Sequence, residues 1–208
     1  MGARDQRAAQ EARLEAQRSL VKRDSGGAGS EDDVARVDGR PLAIFITQNN
    51  MAPNALDDVR DKHRLLAALH ERGFAVRLCC KQRSHVELVR FLASASLLVG
   101  VASPGLLVHA SYALPHTALL ELRGAAAPES GARSRHGVFS RAAHAFALHH
   151  TAHDIAPYRT ARGFALTDRE NDDIAAKAVA LLRRAVAAAK SERVQRKAAK
   201  ANLKVEEE

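Results

Sequence analysis

Leu97-Leu98-Val99-Gly100-Val101-Ala102-Ser103-Pro104-Gly105-Leu106 is the stretch that decides how this chain folds. Leu97 to Val101 is a short, continuous apolar run, the pattern of a strand covered on both faces. Ala102 to Gly105 reads as a tight Gly/Pro turn, and a helix is expected from about Gly105 to Tyr112. A second apolar run, Leu119 to Leu122, follows. Strand, turn, short helix and strand is an order in which α/β proteins present backbone N–H groups to phosphate.

The alternation continues on both sides. Leu42 to Thr47 is another apolar, β-branched run, hence a buried strand. Gln48 to Asn54 is polar, with three Asn and one Pro. A helix is expected from Asn54 as N-cap, with Asp57 and Asp58 in its first turn. Leu56, Val59, Leu65, Leu66 and Leu69 would face inward, and Gly73 would end the helix. Phe74 to Cys79 is the next strand. Ser84 and Glu87 have capping-box spacing, ahead of Val86, Val89, Phe91 and Leu92. Four strands alternating with helices imply parallel pairing through right-handed crossovers. The expected fold is α/β: a Rossmann-like parallel sheet with helices on both faces, over 41–190. Before it, 1–40 reads as an exposed helix (4–23) and a Gly/Ser-rich linker (24–40). Within it, 124–137 reads as a loop, Phe139 to about His150 as a helix, and Gly163 to Leu166 as a short strand. A final helix from near Asp168 runs past Lys190, with Ile174, Val179, Leu181, Leu182 and Val186 inward, and 191–208 is a charged tail.

Composition narrows the function classes. Hydrophobic residues make up 46% of the 208, but aromatics only 4%, with no Trp, so alanine supplies much of a thin core. The net charge of +8 favours phosphate-bearing partners. From Lys177 to Lys204 there are nine Lys/Arg and one acid, Glu192. That segment is either a solvated helix face or a contact for RNA, although it lacks base-stacking aromatics. Cys79 and Cys80 are the only cysteines. They provide neither a disulfide framework nor metal spacing, and both are expected to be reduced, since adjacent cysteines pair only with strain. No stretch is long enough to span a bilayer, and no signal-peptide core is visible at the N-terminus. The chain as it stands is expected to be soluble; a place in the secretory pathway would need a leader that this sequence lacks.

Ligands of open parallel sheets sit beyond the carboxyl ends of the strands. Three loops are expected there: 48–54, 80–84 and 101–105. In the third, Gly100 and Gly105 permit close approach, and the N–H groups of Gly105, Leu106 and Leu107 would open a helix; equally, these residues merely make a turn. The pattern is neither the dinucleotide fingerprint nor a P-loop. Glu121, at the end of a strand, can hold a ribose diol, cap a helix or pair with Arg123. Asn50 and Asn54 can bind a polyol or serve turn and cap chemistry. His109 and His116 flank the short helix. His144, His149, His150 and His153 cluster in sequence, with His149 and His153 at i, i+4 on a helix, but His-Glu-x-x-His is absent and no metal is expected. Gly-x-Ser-x-Gly is also absent.

The segment Ser84–Leu122 resembles the C-terminal half of glycosyltransferase family 61. That family has a helix with Glu-Gln-Val/Ile and a following Phe, here Glu87-Leu88-Val89-Arg90-Phe91. Its glycine segment, Ala-Asp, three apolar residues and Gly-x-His-Gly-Ala-Gly-Leu-Thr-Asn, aligns with Ala95 to Val108. Its Pro-Pro-Gly and apolar strand ending Glu-Leu align with Leu114-Pro115-His116 and Ala118 to Leu122. Ala102, Ser103 and Pro104 stand where the family has His, Gly and Ala, and Leu107-Val108 where it has Thr-Asn. The resemblance implies the C-terminal half of a GT-B-type fold that transfers a sugar from a nucleotide-sugar donor to a glycan or protein hydroxyl. Gly100, Ser103, Gly105, Leu106 and Glu121 would line the donor site, with no further cofactor. Asn50, Asn54 and His109 would be additional contacts. The alternative is a non-catalytic binding or structural subunit, RNA-associated through its basic tail, on a degenerate transferase domain.

Overall fold

A computed structural model describes residues 36–47, 59–60, 62–79, 84–124, 133–155, 159–160 and 163–205. The strands are β1 (Arg36–Val37), β2 (Arg40–Ile46), β3 (Val59–Arg60), β4 (Ala75–Cys79), β5 (Leu97–Val101), β6 (Ala118–Gly124), β7 (His149–Ile155), β8 (Arg159–Thr160) and β9 (Gly163–Ala165). The helices are α1 (Lys62–Glu71), α2 (His85–Ala93), α3 (Pro104–Ala110), α4 (Arg133–Ala145) and α5 (Asp168–Val205). Five strands form a parallel sheet in the order β4-β2-β5-β6-β7. Numbered along the chain, that is 2-1-3-4-5, the flavodoxin-like doubly wound order. β1 adds an antiparallel hairpin to the start of β2.

Alternating side chains build one core on each face of the sheet. Ala43, Phe45, Leu97, Val99, Leu120 and Leu122 pack with Leu65 and Leu69 of α1 and Ile174, Ala178 and Leu181 of α5. On the other face, Leu42, Ile44, Ile46, Leu98 and Leu119 pack with Leu92 of α2, Leu106 and Ala110 of α3, and Phe139 and Ala143 of α4. The expected α/β architecture, with helices on both faces, is what the chain forms.

Local signals explain several element ends. Ser84 and Glu87 close a full capping box on α2. Gly73, at φ +92°, ends α1 in a conformation that side chains disfavour. Asp38 and Gly39, both at positive φ, make the two-residue turn between β1 and β2. This hairpin lies within the segment read as linker; the Asp-Gly pair was its signal.

Three element assignments change. Val59 belongs not to a helix but to β3, which pairs with β9 in a small second sheet, and α1 starts at Lys62. The expected cap Asn54 lies outside the described residues, as does Asn50. The helix read at Phe139 to His150 is α4, which ends at Ala145, and His149 opens a fifth parallel strand instead. Thus His149 and His153 lie on one strand, not at helical spacing. Cys79 is disulfide-bonded rather than reduced; Cys80, the other cysteine, lies outside the described residues.

Candidate functional site

The turn from β5 to α3 is the one connection at the carboxyl edge of the parallel sheet that lies wholly among the described residues. The segments 48–58, 80–83, 125–132 and 156–158, which follow the other four strands, lie outside them. Each sequence feature of the turn has a local cause. Gly100 is inside β5, where a Cβ would stand 3.1 Å from Leu106 Cδ1 and 3.2 Å from the Ile46 carbonyl oxygen. Its smallness lets α3 lie close on the sheet. Ser103 is the N-cap of α3, its Oγ accepting from the Leu106 N–H at 3.1 Å, and Pro104 opens the first turn. Leu106 is fully buried in the core. Gly105 is exposed, and its carbonyl accepts from His109 Nδ1 at 2.5 Å. The structure therefore brings Gly100, Ser103, Gly105, Leu106 and His109 together around one helix start.

Next to this turn lies a buried charge cluster centred on Glu121. Glu121 sits on β6 opposite Gly100 of β5, on the α3/α4 face, and its side chain is 1% exposed. His150 Nε2 donates to Glu121 Oε2 at 2.8 Å, and Arg123 Nη2 donates to the same oxygen at 3.2 Å. His150 comes from the neighbouring strand β7, whose residue 150 pairs with Leu119. Burial pushes the Glu121 carboxyl up, but the hydrogen bonds from His150 and Arg123 and their charges more than offset it. The net shift is downward, so Glu121 is an anion at neutral pH.

Arg123 is held from one side only. Its Nε is buried and finds no hydrogen-bond partner among the described residues. Backbone pairing places it at the carboxyl edge, beside Ala102, whose N–H donates to the Leu122 carbonyl. Among the alternatives open for Glu121, the observed one is pairing with Arg123. His150 was missed as its second partner, because nothing in a polar segment such as His149-His150-Thr151 announces a strand beside β6.

Two further histidine contacts lie on the opposite face of β7. Lys177 Nζ donates to His153 Nδ1 at 3.0 Å, and His153 is 6% exposed. Burial, then the Lys177 charge, lowers its pKa below the ordinary value, against the pull of Glu170, Asp173 and Asp154. At the amino edge, His116 stacks on His149 and donates to Glu192 of α5. No group of three His, Cys, Asp or Glu is placed to hold a metal among the described residues. No helix of the described residues is long and apolar enough to cross a membrane.

No family model matches this chain, and no curated protein matches it. Among solved structures, it is similar to the crystal structure of a diflavin flavoprotein A3 from Nostoc sp., at 11% identity. The match covers 70% of this chain and 93% of that one, with a TM-score of 0.45. No family or sequence match supports the resemblance to glycosyltransferase family 61, and it is withdrawn. With it go the sugar-transfer function, the degenerate-transferase alternative, the GT-B assignment and the cofactor-free nucleotide-sugar site. The physical reason is visible in the turn. An apolar strand, a packing glycine, an N-cap serine and a first-turn proline are what a strand–helix junction of a doubly wound sheet requires. They resemble the family motif without carrying its chemistry.

Proposed function

We propose that this domain binds a small phosphate-bearing molecule, of the size of a mononucleotide such as flavin mononucleotide, in the crevice beyond the carboxyl ends of β2, β5 and β6. The observation that carries this is Arg123, whose guanidinium is fixed by Glu121 while its buried Nε–H lacks a partner among the described residues. A planar guanidinium with an unused N–H suits a phosphate oxygen, and a buried donor left unpaired is costly. The strand order supports the same place. In a 2-1-3-4-5 sheet, ligands sit where the crossovers diverge, between the first and third parallel strands, and this is where flavin mononucleotide binds in that order. The β5–α3 turn leaves the third of these strands.

The residues have distinct parts. Glu121 holds the guanidinium in place, and His150 donates to the same carboxylate oxygen. Ser103 fixes the start of α3, and Gly100 lets that helix lie close to the sheet. The test is titration of the full chain with flavin mononucleotide, followed by quenching of flavin fluorescence, with ADP followed by calorimetry. Binding in the micromolar range is expected, weakened at least tenfold in Arg123→Gln and unchanged in Arg77→Gln, an exposed arginine of β4. Failure of the unaltered chain to bind either molecule at millimolar concentration would overturn the proposal. Binding that ignores Arg123→Gln would remove the anchor.

A further inference from the structure

The amino edge of the sheet carries a second cluster of titratable side chains, independent of the crevice proposed above at the carboxyl edge. Its centre is His116, in the connection between α3 and β6. His116 has φ +66°, a backbone conformation uncommon outside glycine. Neighbouring backbone holds it there. The His116 N–H donates to the Ala147 carbonyl at 2.7 Å, and the His149 N–H donates to the Thr117 carbonyl at 3.0 Å. Ala147 is itself at φ +54°. Strain of this kind persists only where surrounding contacts fix it, so the imidazole projects from a preset backbone.

Two side chains meet that ring. His116 Nε2 donates to Glu192 Oε2 of α5 at 2.5 Å, across 76 residues. This leaves Nδ1 with its lone pair, 3.4 Å from His149 Nε2 of β7. The order is carboxylate, imidazole, imidazole. Other charges surround it. Arg196 donates to the second oxygen of Glu192, and Arg184 of α5 acts on His149 through its charge. Lys190 and Arg193 flank Glu192 on α5 and have contacts of their own. The last turn of α4 carries the exposed His144. Along α5, Ala185 is the last buried apolar side chain among the described residues, and 193–199 are all exposed. Glu192 therefore ties α5 to the body about two turns beyond the core.

We propose that Glu192, His116 and His149 form a proton-operated latch on the outer turns of α5. With His116 neutral, one N–H reaches Glu192 from an uncharged ring. A proton taken up by His116 turns that contact into a charge-assisted ion pair, which is stronger. Both nitrogens of His116 are then donors, and His149 faces it with a lone pair, as the Nδ1–H tautomer. Glu192 stays charged through this change: the hydrogen bond from His116, with Arg196 helping and partial desolvation opposing, holds its carboxyl below the ordinary value. His149 does not take the proton instead, since burial, then the charges of His116 and Arg184, lower its pKa. The cluster thus binds one proton, on the ring that faces the carboxylate. The latch tightens as pH falls through the imidazole range and loosens above it.

The test is amide hydrogen exchange of the full chain, read by mass spectrometry over 186–196 at pH 8 and pH 5.5. Parent and variant are compared at the same pH, so that intrinsic rates cancel. His116→Gln keeps a neutral donor. It should exchange less than twofold faster than the parent at pH 8 and about fivefold faster at pH 5.5, the upper range for a partly exposed ion pair. Glu192→Gln, which leaves the strained turn untouched and also loses Arg196, should be faster at both values, by the larger factor at pH 5.5. Adding His116→Gln to it should change nothing further. His144→Gln should match the parent throughout. The same ratio for His116→Gln at both pH values, or a pH-dependent ratio for His144→Gln, would overturn the latch. In an NMR titration of the imidazole signals, His149 should take up its proton at higher pH in His116→Gln than in the parent. An unmoved His149 would show that the two rings are not coupled, and would also overturn it.

Discussion

Glu121 shows how a single buried carboxylate is made tolerable. A lone carboxylate in the core would be expensive, and here His150 and Arg123 converge on one of its oxygens. Replacing it by Gln leaves a guanidinium and an imidazole facing a neutral group, so Glu121→Gln should cost about 3 kcal/mol at pH 7. Because the folded carboxyl has a lowered pKa, its stabilising contribution is present above the ordinary carboxylate value of 4.5 and is lost as pH falls through the folded value. The gap between the parent and Glu121→Gln should therefore shrink in urea denaturation at pH 3.5 relative to pH 7. A gap that stays constant would mean that Glu121 is not held as an anion.

At the scale of elements, β7 is the least expected piece and has its own pH signature. His149-His150-Thr151-Ala152-His153-Asp154-Ile155 lacks the apolar run that marks the other central strands. It is an edge strand, registered against β6 over seven residues, which backbone pairing accommodates whatever the side chains. Burial lowers the pKa of His153, assisted by Lys177, and that of His149, assisted by His116 and Arg184. Both imidazoles are thus neutral in the folded chain at neutral pH, while in the unfolded chain they take up protons from about pH 6.5 downward. Stability should fall as pH drops from 6.5 through the lowered folded values, and His153→Gln should flatten part of that fall, as read by denaturation midpoints at pH 8, 6.5 and 5.5. An unchanged slope would show that His153 does not carry this dependence.

At the scale of the molecule, α5 belongs to two regions. Its first half completes the core face formed with α1, and its last turns contribute no buried apolar side chain among the described residues. Deleting 193–208 should accordingly lower the thermal midpoint by only a few degrees, the loss coming chiefly from the Arg196–Glu192 pair, a surface contact of small value. Deletion from 178 should instead remove Leu181 and Ala185 and unfold the domain. Thermal scans of the two truncations decide whether the helix divides in this way.

The sheet was legible because its central strands carry their burial in their letters. Leu42 to Ile46 and Leu97 to Val101 are apolar on both faces, Leu119 to Leu122 is interrupted only by Glu121, and the caps at Ser84 and Gly73 act through neighbours a few residues away. Such signals are local, so sequence alone determined the α/β class, the helices between the strands and the long basic helix. What tertiary structure decided is non-local. It set the strand order, placed β7 beside β6, and gave Glu121 its partner His150 across 29 residues. It also showed that Gly100 is small because Leu106 and Ile46 crowd it. The physical reason is that a motif records what a strand–helix turn needs for packing. Chemistry depends on which side chains several strands bring to one edge, and that is settled only when the sheet is assembled.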